Sequence, residues 1–261
     1  MVYHDPVPVP PGRQVLRFQA GGVPFALPLL AVREIVPVGA GSARGVPEGA
    51  LPLAERLGLR GDPRFALVLE GAGLPTLLVD HMDGVGDMAD AEAFLLPERA
   101  VAAEPSPFAS ALCFGGALLL ELAPAALPGM RARAARPFPV SGDLPPSDRE
   151  LLAERAGRVL AVPLQLVVQV IDPVQLFRVP LAPEGHRGLL HHGRAIHPAW
   201  DAAAILGDPA SGDPHVLLLL DAGGTTAGVL VDRVLGLSEG AGSGPVRRPP
   251  WDVLLAPGNA G

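Results

Sequence analysis

Short apolar runs, bounded by glycine, proline or aspartate, recur along the whole chain. Examples are QVLRFQA, VPFALPL, FALVLEG, LPTLLVD and GALLLEL. Runs of this length that are rich in Val, Leu and Ile and end at turn residues are typical of β-strands. The pattern therefore predicts a mainly β fold, with many short strands joined by tight turns.

Helices are predicted in three segments only: PLAERLGL, SDRELLAERAG and WDAAAILG. In the second segment Ser147 stands three residues before Glu150, which is the spacing of a helix capping box. The residues that follow could also pair as an edge strand. Helix and strand therefore remain two alternatives for this segment.

A tandem repeat is indicated by three matched blocks in the same order. Residues 65–88 resemble residues 216–239, each predicting a hairpin whose second strand ends in Val-Asp, at Val79-Asp80 and Val231-Asp232. Upstream of these, PLAERLG matches PAWDAAAILG, and PFALPLLAVREI matches VLAVPLQLVVQVI. The order predicts a duplication.

The repeat predicts a division of the chain into two domains. We place domain 1 at residues 12–128 and domain 2 at residues 148–261, with a Pro/Gly/Arg-rich linker at 129–147 and an extended proline-rich tail at 1–11. Domain 2 is expected to be divergent and short at its C-terminal side, because GALLLEL has no evident second copy. That would leave a sheet edge for a partner strand.

Composition and charge narrow the classes of function. With 49% hydrophobic and only 4% aromatic residues, the core must be aliphatic. The net charge of −7 argues against nucleic-acid binding, which needs a positive surface. The lone Cys113 excludes an intramolecular disulfide. No signal-peptide pattern and no 18-residue apolar run are present, so a cytoplasmic protein without membrane insertion is expected.

The order of several short motifs resembles a known family. Val32-Arg33-Glu34-Ile35 is followed by Ala43-Arg44-Gly45, then by Pro52-Leu53-Ala54-Glu55, and finally by PTLLVDHMDGV. This series is similar to the CheW-like domain, the coupling domain of bacterial chemosensory arrays. The resemblance extends over the whole first copy and most of the second.

The resemblance implies both a fold and a function. The fold would be mainly β, with two tandem CheW-like domains, each a pair of small SH3-like β-barrels. The function would be that of a non-enzymatic adaptor without a cofactor, coupling chemoreceptor tips to the regulatory domain of a CheA-type histidine kinase. The residues implied in partner binding are Glu34, Arg44, Val79, Asp80, Val85, Val231 and Asp232.

Glu34, the single acid of the apolar stretch Gly21–Val38, is expected to have a structural rather than a catalytic role. The resemblance implies that Glu34 lies at the edge of the core with Arg44 near it in space. Because a partly buried carboxylate needs a cationic partner, the two are expected to pair. The loop between them is shorter than in the family, which puts receptor binding by the first copy in question. In the second copy Gln169 or a neighbour takes the place of Glu34, so the ion pair would be lost or replaced by a contact between Gln169 and Arg194.

Two alternatives to the chemotaxis adaptor stay open. One is a CheW-like scaffold of a different motility or developmental pathway. The other, weaker alternative is a metal-dependent enzyme that uses the histidines of domain 2, which are His186, His191, His192, His197 and His215. Their spacing matches no common metal motif, and His191 and His192 would point to opposite faces of a strand.

Overall fold

The computed structural model describes residues 6–8, 10, 12–38, 48–71, 73–97, 100–132, 147–209, 212–222, 224–239 and 245–251. The first half of the chain is almost entirely β-structure. Its strands are β1 (Gln14–Ala20), β2 (Val23–Pro28), β3 (Val32–Pro37), β4 (Leu51–Pro52), β5 (Phe65–Leu69), β6 (Leu77–Val79), β7 (His81–Asp87), β8 (Ala91–Phe94), β9 (Ala103–Glu104), β10 (Phe108–Phe114), β11 (Ala117–Leu122) and β12 (Arg131–Ala132).

The second half is also built of strands, and each half has one short α-helix whose bounds both lie within the described residues. The strands are β13 (Arg149–Arg155), β14 (Arg158–Pro163), β15 (Val167–Ile171), β16 (His186–His192), β17 (Ala195–Asp201), β18 (Val216–Asp221), β19 (Thr226–Val231), β20 (Arg233–Glu239) and β21 (Val246–Arg247); the helices are α1 (Leu53–Arg56) and α2 (Ala202–Ile205). The prediction of a mainly β protein with few helices is confirmed.

The two halves repeat the same elements in the same order. Strands β1, β2 and β3, with the 3-10 turn before β3, recur as β13, β14 and β15 at a constant offset, from Gln14 to Arg149. The burial pattern of β1 and β13 is identical along all seven residues. Because alternate residues of a strand face opposite sides of a sheet, this agreement means that both strands present the same faces to their cores.

The segment Arg149–Arg155 is a strand, so the helical alternative for SDRELLAERAG is wrong. The backbone N–H of Ser147 does donate to the Glu150 carboxylate, at 3.1 Å, as in a capping box. However, β13 is hydrogen-bonded on both sides, to β14 and to β20. Two ladders of backbone hydrogen bonds outweigh the weak local preference of Glu, Leu and Ala for a helix.

Each half contains two main sheets, and the first half also has the two-stranded sheet β12-β9. In the first half these have the orders β7-β1-β2-β11-β10-β8 and β3-β5-β6-β4; in the second they are β20-β13-β14-β21 and β15-β18-β19-β17-β16. The β1–β7 and β13–β20 pairs have a bulge at the same place, next to Gly84 and Gly236. Both glycines have positive φ, of 108° and 138°, which other residues rarely adopt.

Strand β11, which forms from the segment GALLLEL, does have a counterpart in the second half, contrary to the sequence prediction, but a very short one. Strand β11 pairs in parallel with β2, and the two residues of β21 pair in the same way with β14. Beyond β21, the indole of Trp251 is 1% exposed, and its Nε1 donates to the carbonyl of Ala161 at 2.9 Å. One aromatic side chain thus covers backbone that a longer strand covers in the first half.

The halves are packed together through the β16–β17 hairpin, which the first half lacks among its described residues. Val179, Leu189 and Ile196 belong to the main hydrophobic cluster of the first half. The Ala102 N–H donates to the Leu181 carbonyl at 2.6 Å, and Arg194 pairs with Glu92 at 3.3 Å. The two halves therefore share apolar core as well as polar contacts.

Candidate functional site

The aspartates of the two Val-Asp pairs have the same structural task. Asp80 accepts a hydrogen bond from the Gly21 N–H at 2.6 Å, and Asp232 accepts one from the Ala156 N–H at 2.8 Å. Each carboxylate therefore fastens the turn of the first hairpin of its half to the end of a later hairpin. Val79 and Val231 are fully buried beside them, so in this structure these valines contribute packing rather than a contact surface.

Glu34 is not partly buried, as its expected pairing with Arg44 requires. It is exposed on β3, opposite Val68, so burial does not demand a cationic partner. Arg44 lies outside the described residues. The assignment of Gln169 as the counterpart of Glu34 fits the register, since both follow a bulge and pair with equivalent strands. Arg194 pairs with Glu92 across the halves instead of the expected Gln169.

The second half contains a partly buried ionic cluster that the sequence patterns did not reveal. It consists of Arg155, Asp201, Asp232 and Arg187, and we call it the Arg155 cluster. Arg155 donates from Nε and Nη2 to both oxygens of Asp201, each at 2.8 Å, and from Nη1 to Asp232 at 2.8 Å. Arg187 adds a 2.6 Å contact to Asp201. The cluster ties four strand ends of the second half together.

The charges of this cluster stabilise each other in their ionised forms. Burial by itself would raise the pKa of Asp201, but hydrogen bonds from Arg155, Arg187 and the Ala203 N–H lower it below its ordinary value. Hydrogen bonds to Asp201 in turn raise the pKa of Arg155. In the first half, the positions of Arg155 and Asp201 are taken by Ala20 and Pro52. The same fold therefore has an ion pair at these two positions in the second half and apolar residues there in the first.

The position of Asp201 also corrects the motif alignment. Asp201 is the N-cap of α2, and its side chain accepts from the Ala203 N–H. In the first half the N-cap of α1 is Pro52, and Glu55 lies inside the helix. Glu55 is therefore not the structural counterpart of Asp201, although the two stand at the same place in the matched segments PLAERLG and PAWDAAAILG.

In the second half, the exposed large aliphatic side chains of the described residues all lie on two outer strands. Val168 and Val170 on β15 are 58% and 41% exposed, and Leu235 and Leu237 on β20 are 44% and 56% exposed. In the described part of the chain, β15 and β20 are the outermost strands of their sheets. We call these four side chains the docking edges. Alternating exposed apolar residues on a strand at the edge of a sheet are typical of a surface that another protein covers.

The first half carries a weaker version of the same feature. The strand registers match Leu237 with Val85, which is 48% exposed, and Val170 with Ile35, which is 42% exposed. At the other two equivalent positions it has the charged residues Arg33 and Asp83. Of the residues predicted to bind partners, Val85 is therefore the one with an exposed apolar side chain.

The histidines have separate surroundings. The His186 ring packs edge-on against Trp200, with 4.9 Å between ring centroids, and His191 lies 3.6 Å from the Cys113 sulfur. Among the described residues, no three His, Cys, Asp or Glu side chains are grouped in a way that could hold a metal ion. Within the same residues, no helix has the length and apolar character to cross a membrane.

The features above define a mainly β protein with paired small sheets, a partly buried ionic cluster and apolar outer strands. Comparison with known proteins agrees with this class. Residues 151–241 match the family model of the CheW-like domain.

One similar solved structure is the scaffolding protein TtCheW from Thermoanaerobacter tengcongensis. The sequence identity is 20%, the TM-score is 0.33, and the match covers 37% of this chain. It covers 66% of the TtCheW chain, slightly less than two thirds of that protein. No curated protein sequence matches the chain significantly.

Proposed function

We propose that the chain is a non-enzymatic adaptor that docks onto the regulatory domain of a CheA-type histidine kinase. The observation that carries this proposal is the pair of docking edges. They lie on β15 and β20, both inside the region that matches the CheW-like family model. An adaptor needs an apolar surface that remains available after the chain has folded, and these strands supply one.

The Arg155 cluster supports the adaptor role by making the second half rigid. Asp232 precedes β20 directly and is held by Arg155 and by the Ala156 N–H. These hydrogen bonds to Asp232 hold the start of strand β20 in place. A preorganised surface loses less conformational entropy on binding, which favours affinity.

In this proposal the two halves have unequal roles. The second half docks onto the kinase through the docking edges, whereas the first half supports it through the shared core. Arg33 and Asp83 interrupt the apolar surface of the first half at the positions of Val168 and Leu235, and a charge in the centre of an apolar contact is costly to desolvate. Chemoreceptor tips are a second proposed partner, and the proposed location is the cytoplasmic face of a receptor array.

The proposal is tested by direct binding. The purified chain is titrated against the regulatory domain of a CheA-type kinase encoded near its own gene, by isothermal titration calorimetry, with the isolated kinase dimerisation domain as control. We expect saturable binding with a negative heat-capacity change, since apolar surface is buried. Absence of binding to every such regulatory domain of the host would refute the proposal. Binding to a kinase of a different motility or developmental pathway would assign the adaptor to that pathway instead.

A further inference from the structure

A pocket of about 460 Å³ lies where the two halves meet. It is lined by Leu57, Gly58 and Leu59, which follow α1 in the first half, by the segment from Arg178 to Ala182, and by His186 and Arg187 at the start of β16. Its volume is within the range of about 300 to 1,000 Å³ that small-molecule sites occupy, and such sites are frequent at the junction of two domains.

The charges of the pocket favour an anion. Two arginines line it, and none of its lining residues is acidic, although the chain as a whole has a net charge of −7. Arg178 is exposed and forms no ion pair with a described residue. Arg187 uses Nε and Nη2 to contact Asp201, whose charge is also neutralised by Arg155. The guanidinium of Arg178 therefore remains available for a ligand.

A buried and unpaired imidazole adds an uncharged polar group. His186 is only 9% exposed, and neither of its ring nitrogens has a hydrogen-bond partner. Burial lowers its pKa to about 3, so the ring is neutral and has one donor and one acceptor nitrogen. Buried polar atoms almost always have partners, and an unpaired one in a pocket wall indicates a position where a ligand can bond.

The remaining wall of the pocket is apolar. Leu57, Leu59 and Val179 are buried side chains of the main core cluster, and Leu181 and Ala182 pack against the same cluster. We propose that the pocket binds a small organic anion with a short aliphatic body. Its carboxylate is held by Arg178 and Arg187, and its body lies against the leucines. This inference does not depend on the adaptor function.

The experiment compares an anion with its uncharged analogue. The ¹⁵N-labelled chain is titrated with sodium hexanoate and, separately, with 1-hexanol at constant ionic strength, and amide chemical shifts are followed by NMR. We expect saturable shifts around residues 57–59 and 178–187 with hexanoate and at least fivefold weaker binding of 1-hexanol. Arg178→Ala should weaken hexanoate binding about tenfold, because a charge-assisted hydrogen bond is lost. Arg64→Ala is the matched control, because Arg64 is 71% exposed and pairs with Asp62 elsewhere on the surface.

Any of three results would overturn the proposed anion site. Equal affinity for hexanoate and 1-hexanol would overturn the anion site and leave an apolar groove. Unchanged hexanoate affinity in Arg178→Ala, with the Arg64→Ala spectrum as reference for folding, would place the binding elsewhere and overturn the proposal. Absence of saturable shifts with hexanoate would also overturn it.

Discussion

Arg155 and Asp201 form a two-pronged ion pair inside the second half of the molecule. Both hydrogen bonds are 2.8 Å long, and the side chains are 2% and 0% exposed. The two residues belong to β13 and β17, whose sheets are different. Their pairing therefore joins the two sheets of the second half, whereas the equivalent positions of the first half are occupied by Ala20 and Pro52.

Removal of Arg155 is expected to be strongly destabilising. In Arg155→Ala the Asp201 carboxylate keeps only the contacts with Arg187 and the Ala203 N–H, while burial still disfavours its charge. We expect a loss of about 3 to 5 kcal/mol in the free energy of unfolding, measured by urea denaturation. Arg233→Ala is the control, because its pair with Glu154 is on the surface, and it should cost at most about 1 kcal/mol. Equal effects of both substitutions would contradict the role of the cluster.

The buried His186 makes the stability depend on pH. Its pKa is lowered to about 3 in the folded chain, whereas an unfolded histidine titrates near pH 6.5. Between these values only the unfolded chain takes up the proton, so the free energy of unfolding falls as the pH falls, with a slope approaching about 1.4 kcal/mol per pH unit. Urea midpoints from pH 7.5 to 5 measure this slope.

The substitution His186→Phe should remove that contribution while keeping a ring against Trp200. We expect the stability of this variant to change less between pH 7.5 and 5 than that of the original chain. His81→Phe serves as the matched control, because His81 is exposed, with 65% of its side chain accessible. An unchanged pH profile in His186→Phe would show that His186 does not cause the dependence.

Trp251 is expected to contribute strongly to the stability of the second half. Its ring is 1% exposed in the cluster formed by residues such as Leu160 and Val229, and it covers the Ala161 carbonyl. Trp251→Ala should lower the free energy of unfolding by about 3 to 5 kcal/mol, as do other large aromatic truncations in cores. Trp251→Phe, which keeps most of the packing, should cost less. Leu30→Ala, at a side chain 92% exposed, is the control and should be within about 0.5 kcal/mol of the original chain.

Two equivalent substitutions test which half docks. Leu237→Glu places a charge on the docking edge of β20, and Val85→Glu places the same charge at the equivalent position of the first half. We expect Leu237→Glu to weaken kinase binding about tenfold, or about 1.4 kcal/mol, and Val85→Glu to leave it nearly unchanged. Calorimetric titration of both variants measures the difference. A larger loss in Val85→Glu would assign docking to the first half.

Most individual strands could be predicted because the information is local. QVLRFQA, the segment before Val79-Asp80 and its copy before Val231-Asp232 are all strands, and both short α-helices are in predicted segments. The segment Arg149–Arg155, for which helix and strand both stayed open, shows the limit of this information. Its composition suits a helix. Only its pairing with β14, which follows directly in the chain, and with β20, which lies far along the chain, makes it a strand.

The residues of the candidate site were less predictable. The motifs emphasised Glu34, which is exposed, and Val79 and Val231, which are buried. They missed Arg155 and Arg187, although an arginine at the end of an apolar strand and an aspartate in PAWDAAA were visible signals. Whether such charges are partners depends on how the hairpin β16–β17 folds onto β13, and no local pattern contains that contact.

The sequence alone determined most of the strands, the repeat and the similarity of the second half to the CheW-like domain. Apolar periodicity, turn residues and motif order are properties of neighbouring positions. The tertiary structure decided which charges are buried together, which apolar strands remain outermost, and that the two halves share a core. These outcomes depend on contacts between residues far apart in the chain, such as Arg155 with Asp201 and Glu92 with Arg194. Such contacts exist only after the sheets have packed, since burial and pairing are set by the whole fold.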